Sequence, residues 1–180
     1  MPQQVRSRVC WMQHRVVAAI GLAAALLMAC SAATAGRTVM GWVEWITLCA
    51  TGFAMEAKLD SGALTSSLHA TDIERFERDG DEWVRFTVHN HEDSAALTLE
   101  RPVARNVRIK RHGAESQRRA VVELPFCVGG TRYETEFSLV DRSNFIYPVL
   151  LGRRFLADVA LIDAAEKHLV EPTRDGCDDE

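Results

Sequence analysis

From Gly41 onward, apolar and polar residues alternate in one short segment after another. The segment AMEAKLD places Met55, Ala57 and Leu59 on one side, with charged residues between them. Successive side chains of a strand point to opposite faces, so this period of two predicts half-buried β-strands. The same alternation recurs in WVRFTV, RRAVVEL and YETEFSLV. We therefore expect residues 36–170 to form one small all-β domain, folded as a closed barrel.

Turn and breaker residues divide these predicted strands. Asp79-Gly80 predicts one hairpin, and Gly129-Gly130 predicts a second. Pro102 lacks a backbone donor, so it predicts a sheet edge or a bend. The segment GRRFLADVA is the one stretch with a helical pattern, and VALIDAAEKHLVE is predicted to close the domain with two short strands.

Residues 1–35 differ from the rest of the chain. They contain Arg6, Arg8 and Arg15 and no acidic residue, and residues 16–29 carry no charge. That apolar stretch is shorter than the roughly 20 residues that a membrane-spanning helix needs. A basic start, a short apolar middle and small residues after it are typical of a secretory signal peptide. Cleavage after Ala35 would release a periplasmic protein.

A second interpretation of the same segment ends it at residue 29. The sequence Leu27-Met28-Ala29-Cys30 is similar to a bacterial lipobox, in which Cys30 would become the lipidated first residue. The protein would then be anchored to the outer membrane through lipid. Both interpretations place the domain outside the cytosol, and the sequence leaves the choice between them open.

The charge of the remaining chain limits its partners. The full sequence has 21 basic and 25 acidic residues, and removing residues 1–35 with their three arginines leaves 18 against 25, a net charge of −7. Nucleic-acid binding proteins neutralise phosphates with clustered positive charge, so this class is not expected. Residues 171–180, EPTRDGCDDE, are predicted to form an acidic, solvated tail.

Three cysteines lie beyond the predicted signal peptide: Cys49, Cys127 and Cys177. An oxidising compartment permits one disulfide among them. Cys49 and Cys127 both fall in strand-like segments, whereas Cys177 falls in the predicted tail, so a Cys49–Cys127 bond is the expected pairing. Three free thiols are the alternative.

Asp60 ends the alternating strand AMEAKLD and is followed by Ser61-Gly62. At such a reversal, backbone N–H groups and the neighbouring Ser61 hydroxyl can fix the direction of the carboxylate, as catalysis requires. The simpler explanation is an ordinary turn, because Asp, Ser and Gly are all turn formers. The triplet by itself does not decide between a catalytic loop and a turn.

A second segment favours the catalytic interpretation. Asp-Ser-Gly-Ala at residues 60–63 is followed about ninety residues later by YPVLLGRRFL. This pair resembles the motifs of retropepsin-like aspartic peptidases. GWVEW, AKLDSGALTSSLHA, WVRFTVH, RRAVVEL, VGG and VLLGRRFL, in that order, resemble the bacterial retropepsin-like family often labelled ATP-dependent zinc protease. The resemblance covers roughly residues 41–170.

The resemblance implies peptide-bond hydrolysis by a water molecule activated between two aspartates. Because the chain has one Asp-Ser-Gly, the second carboxylate would be Asp60 of another copy in a homodimer. Asp141 has no following glycine and is a poor substitute. The implied active-site loop consists of Asp60, Ser61, Gly62 and Ala63, with Ser61 orienting the carboxylates. The implied substrate is a peptide or a protein, and no cofactor is expected.

In the same fold, the later segment, here Leu151, Gly152 and Arg153, packs against the active-site loop. Gly152 would permit a close approach of the two backbones. Leu64 departs from the pattern, since a basic residue is expected there, and the partner of Arg153 is left unidentified. These departures favour a second hypothesis, a retropepsin-fold binding module of the cell envelope that has lost catalysis.

A third hypothesis is metal-dependent hydrolysis. His89 and His91 lie two residues apart and could share a strand face, but a zinc site also needs a third ligand and a fixed outer shell. A polar loop is the simpler interpretation of this segment, and we assign no metal from the sequence.

Overall fold

The structure is a computed structural model that describes residues 36–90, 95–111, 114–172 and 177. The predicted signal peptide, the lipidation site Cys30 and His91 lie outside these residues. Within the described part of the chain, no helix is both long enough and apolar enough to cross a bilayer.

Strands make up most of the described structure, and one short helix follows them. The helix, α1, runs from Arg153 to Val159. The strands in chain order are β1 Thr38–Gly41, β2 Val43–Leu48, β3 Phe53–Asp60, β4 Ser66–Arg78, β5 Asp81–His89, β6 Ala96–Pro102, β7 Arg105–Arg111, β8 Ala114–Val128, β9 Thr131–Val140, β10 Val149–Gly152 and β11 Ala160–Asp163.

Six strands close into a barrel. Their order around the barrel is β10, β3, β2, β8, β9 and β4, and β10 closes it by pairing in parallel with β3 and antiparallel with β4. The predicted all-β closed barrel with one short helix near the C-terminus is therefore confirmed. The closing strand β10 contains the segment that the sequence predicted to pack on the Asp60 loop.

The barrel core uses the apolar positions of the alternating strands. In β3, Met55, Ala57 and Leu59 are buried while the residues between them are partly or fully exposed. The largest fully buried side chains include Phe86, Phe126, Phe137, Ile46, Leu68, Leu124, Leu139 and Leu151. Burial of this apolar surface is the main favourable term in folding.

Both predicted hairpin turns are present. Asp79 and Gly80 have φ of 54° and 88° between β4 and β5, and Gly129 and Gly130 have φ of 58° and 73° between β8 and β9. Two consecutive residues with positive φ match the twist of the flanking strands. Pro102 ends β6, the last strand of the sheet that extends from the barrel, as its missing donor predicted.

The C-terminal segment differs from the prediction of two short strands. Only β11 forms, and it pairs in parallel with β1. Beyond it, His168 has φ of 54°, which interrupts extended backbone. The buried carboxylate of Glu44 accepts hydrogen bonds from the backbone N–H groups of Leu169 and Val170, at 3.0 and 3.4 Å. These donors are satisfied by a side chain, so no second ladder is needed.

Candidate active site

Asp60 is the last residue of β3 and lies directly beside the closing strand. In the parallel register of β3 and β10, Gly152 is opposite Asp60. A Cβ atom at Gly152 would lie 2.6 Å from the carbonyl group of Thr65. A side chain at this position would overlap the backbone, so glycine is required for the close approach.

Backbone hydrogen bonds join the Asp60 loop to the start of the helix. The N–H of Arg153 donates to the carbonyl of Ala63 at 2.9 Å, and that of Arg154 donates to Leu64 at 3.1 Å. The N–H of Gly152 donates to the hydroxyl of Ser66 at 3.1 Å. The predicted packing segment therefore holds the loop through its own backbone N–H groups, which donate to two loop carbonyls and to the Ser66 hydroxyl.

The Asp60 carboxylate has two donors. Its Oδ1 accepts from the N–H of Gly62 at 2.9 Å, and its Oδ2 lies 3.2 Å from the amine of Lys58. Burial raises the pKa of Asp60, but the hydrogen bond and charge of Lys58 and the N–H groups of Gly62 and Ala63 outweigh it. In the single chain the net pKa of Asp60 therefore lies below the ordinary aspartate value, which favours the ionised form.

A cleft of about 430 Å³ opens next to this carboxylate. One wall is aromatic, because the rings of Trp42 and Tyr147 meet edge to face with centroids 5.8 Å apart. The amine of Lys167 lies 4.4 Å from the Trp42 ring and donates to the Tyr147 hydroxyl at 2.9 Å. The residues that line the cleft are Trp42, Lys58, Asp60, Arg142, Asn144, Phe145, Ile146, Tyr147 and Leu150.

Arg142 forms another side of the cleft and is itself buried. Its Nε donates to the carbonyl of Tyr147 at 3.2 Å, and its Nη1 donates to the hydroxyl of Ser67 at 2.9 Å. Burial lowers the pKa of Arg142, the charge of Arg119 lowers it further, and the Asp60 carboxylate opposes this. Arg142 therefore orders the β9–β10 connection and adds positive charge near Asp60.

The side chains of Ser61, Leu64 and Arg153 lie on the surface around the Asp60 loop. Ser61 is exposed, and Asp60 is held by Gly62 and Lys58 instead of by the Ser61 hydroxyl. Leu64 is exposed, and its backbone carbonyl accepts a hydrogen bond from the N–H of Arg154 in the helix. The Arg153 side chain is also exposed, and the described residues offer it no hydrogen-bonding or ionic partner.

The remaining candidates lie away from the carboxylate. The exposed Asp141 accepts a hydrogen bond from the N–H of Ser143 at 2.9 Å, which lowers the pKa of Asp141 and forms a local turn. The Nε2 atom of His89 is hydrogen-bonded to the hydroxyl of Thr71 at 2.9 Å, and the ring centroids of His89 and His69 are 5.4 Å apart. Neither residue lines the cleft beside Asp60.

Sequence reasoning missed Lys58, Arg142, Tyr147 and the site role of Trp42. The position of Lys58 could have been predicted from the sequence. Residues two apart on a strand share a face, so the lysine two residues before Asp60 lies beside it. Trp42 is half-buried and lines the cleft. No pattern near Arg142 and Tyr147 could predict their place in the cleft. They reach Asp60 because the following strand, β10, pairs with β3.

The cysteines also differ from the expected pairing. Cys177 is buried, and its sulfur contacts those of both Cys49 and Cys127. The sulfurs of Cys49 and Cys127 are 4.0 Å apart, beyond a covalent bond. The assignment of Cys177 to a solvated tail led to the different expectation.

Comparison with known families decides the classification. Residues 39–173 match the family model described as RimB-like, retropepsin-like aspartic endopeptidase RimB. The chain belongs to this family. The RimB-like match spans the barrel, the Asp60 loop and the closing strand, so the aspartic peptidase fold accounts for all three.

Several proteins of known sequence or structure are similar to most of this chain. Proteins named "Probable alpha-L-glutamate ligase" from Shewanella pealeana and Shewanella halifaxensis are 37% and 35% identical over 133 residues, which is 72% of this chain. The match spans only 29% of the length of these relatives. A crystal structure of a Legionella pneumophila protein of unknown function is 31% identical with a TM-score of 0.66, covering 76% of this chain and 100% of that one.

Proposed function

We propose that this RimB-like protein is an exported aspartic endopeptidase whose active site forms across a homodimer, with one Asp60 from each copy. The observation that carries the proposal is the Asp60 carboxylate itself. The N–H of Gly62 and the amine of Lys58 bond its oxygens, and it lines an open cleft. Gly152 of the adjacent strand β10 packs closely against the backbone that follows the loop. A carboxylate in an ordinary turn would need neither the cleft nor the close second strand.

The chemistry follows from two carboxylates at hydrogen-bond distance. Two such groups share one proton, because like charges so close oppose double ionisation. The ionised Asp60 accepts a proton from water as the water oxygen attacks the scissile carbonyl carbon. The protonated Asp60 of the other copy donates to the carbonyl oxygen. In the collapse of the tetrahedral intermediate the C–N bond breaks, and the Asp60 that took the proton from water gives it to the leaving nitrogen. The Asp60 of the other copy takes back a proton from a hydroxyl of the intermediate, which leaves the carboxylic acid product.

The surface beside the Asp60 loop supports the dimer. Val39 and Leu161 are opposite each other in the β1–β11 pair and are 54% and 51% exposed, and Leu64 on the loop is 52% exposed. Among the described residues, β1 and β11 pair only with each other, so each has an open edge. Open edges with apolar side chains favour pairing with a second copy about a two-fold axis. A groove that includes Ser61 and Leu161 connects this surface to the loop.

The charges around the cleft favour an acidic peptide as substrate. Lys58 and Arg142 line the cleft, and Lys167 contacts its aromatic wall. These groups would attract carboxylate side chains and orient them near Asp60. Several relatives carry the name of a glutamate ligase, and a glutamate-rich chain is the kind of product that such an enzyme makes. We propose hydrolysis rather than ligation for this chain, because Asp60 is its candidate reactive group.

Export rests on residues 1–35 and is part of the proposal. Expression with these residues should yield a mature periplasmic protein that begins at Gly36, or a lipidated protein that begins at Cys30. Mass spectrometry of the purified protein distinguishes these two outcomes. An unprocessed N-terminus in the cytoplasm would contradict export without affecting the proposed catalysis.

Asp60→Asn tests catalysis. The amide cannot act as an acid or a base, so we expect the rate of cleavage of a glutamate-rich peptide to fall by about 10²–10⁴-fold or more. Asp141→Asn is the matched control, since Asp141 is exposed and lies outside the cleft. Unchanged cleavage by the folded Asp60 variant would refute the proposal.

Leu161→Glu tests the dimer. A charge on this apolar surface should separate the copies and abolish cleavage, while circular dichroism shows the barrel intact. Ile73→Glu is the control, because Ile73 is an exposed apolar residue on β4. Light scattering together with the cleavage rate measures both effects, and an active monomer would contradict the shared dyad.

A catalytically inactive binding module is the second candidate function. The Lys58 amine occupies Oδ2 of Asp60, and the Arg153 side chain has no partner among the described residues. This candidate predicts that the parent protein binds an acidic peptide without cleaving it, and that Asp60→Asn binds it with similar affinity. Isothermal titration with the glutamate-rich peptide, followed by mass analysis of that peptide, separates the two candidates.

A further inference from the structure

Three cysteine side chains that the proposed catalysis does not use form one buried cluster. Cys49 follows β2, Cys127 lies in β8, and Cys177 belongs to the C-terminal segment. Their sulfur atoms all lie within 4.8 Å of one another, and each residue is at most 5% exposed. Cysteines from three distant parts of the chain are therefore brought together inside the protein.

The backbone geometry allows two different disulfides. The Cα atoms of Cys49 and Cys177 are 4.7 Å apart, and those of Cys127 and Cys177 are 6.1 Å apart. Both separations fall within the range of roughly 4.4–6.8 Å that disulfides span. One sulfur can form only one disulfide, so either bond leaves the third cysteine as a thiol next to it.

Cys177 is also held by the backbone near Cys49. Its carbonyl accepts a hydrogen bond from the N–H of Ala50 at 3.4 Å, and its sulfur lies 3.7 Å from the carbonyl of Thr47. These contacts place Cys177 beside the end of β2. The arrangement thus satisfies the geometric need of thiol–disulfide exchange, a thiol beside a disulfide.

We propose that Cys49, Cys127 and Cys177 form a thiol–disulfide exchange site that fastens the C-terminal segment to the barrel through either of two bonds. An external disulfide, such as oxidised glutathione, accepts two electrons from Cys177 and one partner, and is released as two thiols. In the exchange step, the thiolate of Cys127 attacks the Cys177 sulfur of the Cys49–Cys177 bond. The Cys127–Cys177 bond forms, and Cys49 leaves as a thiolate that takes up the proton.

The exchange keeps Cys177 bonded to the barrel without net oxidation. The C-terminal segment also carries Lys167, which contacts Trp42 and Tyr147 at the cleft. A bond from Cys177 to either partner therefore stabilises the segment that completes one wall of the cleft. This proposal is independent of the peptidase proposal, because it concerns different residues and a different measurement.

Peptide mapping of the oxidised full-length protein tests the proposal. The reduced protein is treated with oxidised glutathione, quenched in acid to stop thiolate attack, digested and analysed by mass spectrometry without reduction. We expect both a Cys49–Cys177 and a Cys127–Cys177 linked peptide, with one free thiol per chain. After a shift from pH 5 to pH 8, their ratio should relax over minutes to hours.

Serine variants provide the controls. Cys49→Ser and Cys127→Ser should each retain a single bond to Cys177 whose amount does not change after the pH shift. Cys177→Ser should lose the attachment, and its C-terminal segment should be cleaved faster by added trypsin. A Cys49–Cys127 bond as the main product, one unchanging bond to Cys177, or three free thiols with stoichiometric bound zinc would each overturn the proposal.

Discussion

Among the carboxylates with lowered pKa values, Glu100 and Asp60 owe the shift to different causes. Glu100, on the outer sheet, is bonded by the guanidinium groups of Arg78 and Arg85, and these bonds lower its pKa. Burial raises the pKa of Asp60, and Lys58 together with backbone N–H groups reverses that effect. Glu100 lies in an exposed network of ion pairs, whereas Asp60 borders a cleft.

The comparison shows that a lowered pKa does not mark a functional site by itself. Both oxygens of Glu100 are occupied, by Arg78 of β4 and Arg85 of β5, so that carboxylate belongs to an ion-pair network on an exposed sheet face. The Asp60 carboxylate is held by the Lys58 cation and by backbone N–H groups. Strand β10 packs tightly against its loop, because a Cβ at Gly152 would overlap the Thr65 backbone. The rigid support and the open side distinguish the candidate site.

Gly152→Ala should have the largest effect of the three substitutions that test this difference. The added Cβ would lie 2.6 Å from the Thr65 carbonyl, so the loop and β10 must separate. We expect a loss of about 1–3 kcal/mol in the free energy of unfolding, measured with urea, and reduced cleavage. Gly36→Ala is the matched control, because a Cβ at Gly36 meets no atom within 4 Å. Equal stability of the two variants would contradict the tight packing.

Lys58→Met tests the cation beside Asp60. Without the amine, the pKa of Asp60 rises, so the dyad keeps its shared proton to higher pH. The pH optimum of kcat/KM should therefore move upward. Cleavage measured from pH 3 to pH 8 gives the profile, and Arg85→Met is the control because its guanidinium bonds Glu100 on the outer sheet and does not line the cleft. A profile shifted downward would contradict the assigned role.

The same substitution has a defined effect on stability. A folded-state pKa below the unfolded value contributes stability that is present above the unfolded pKa and is lost as the pH falls through the folded pKa. The parent protein should therefore be more stable than Lys58→Met near pH 7, and the difference should shrink below about pH 4. Urea unfolding at several pH values measures this difference.

Glu100→Gln should have the smallest effect. Exposed ion pairs are screened by solvent and contribute little, so we expect the Tm to change by no more than about 2 °C. Cleavage and its pH profile should match those of the parent protein. A large loss of activity would show that the outer sheet participates in the site, and the contrast with Asp60 would fail.

Several features of the fold could be predicted because their cause is local. Each of these features depends on a few neighbouring residues: the alternation of residues 55–60, the turns at Gly80 and Gly129-Gly130, and the strand end at Pro102. The second strand expected after β11 did not form, because the Glu44 carboxylate from a distant part of the chain bonds the donors of Leu169 and Val170. No pattern near those residues could reveal that partner.

The sequence by itself determined the β-class, the position of Asp60 at a strand end and the glycine that the second segment requires, since period, turn chemistry and motif order are local properties. The tertiary structure decided which side chains surround Asp60 and where Cys177 lies. Arg142 and Tyr147 reach the cleft, and Cys177 reaches Cys49 and Cys127, only through barrel closure and long-range packing. Those contacts join residues far apart in the chain, and the free energy that selects them belongs to the whole fold.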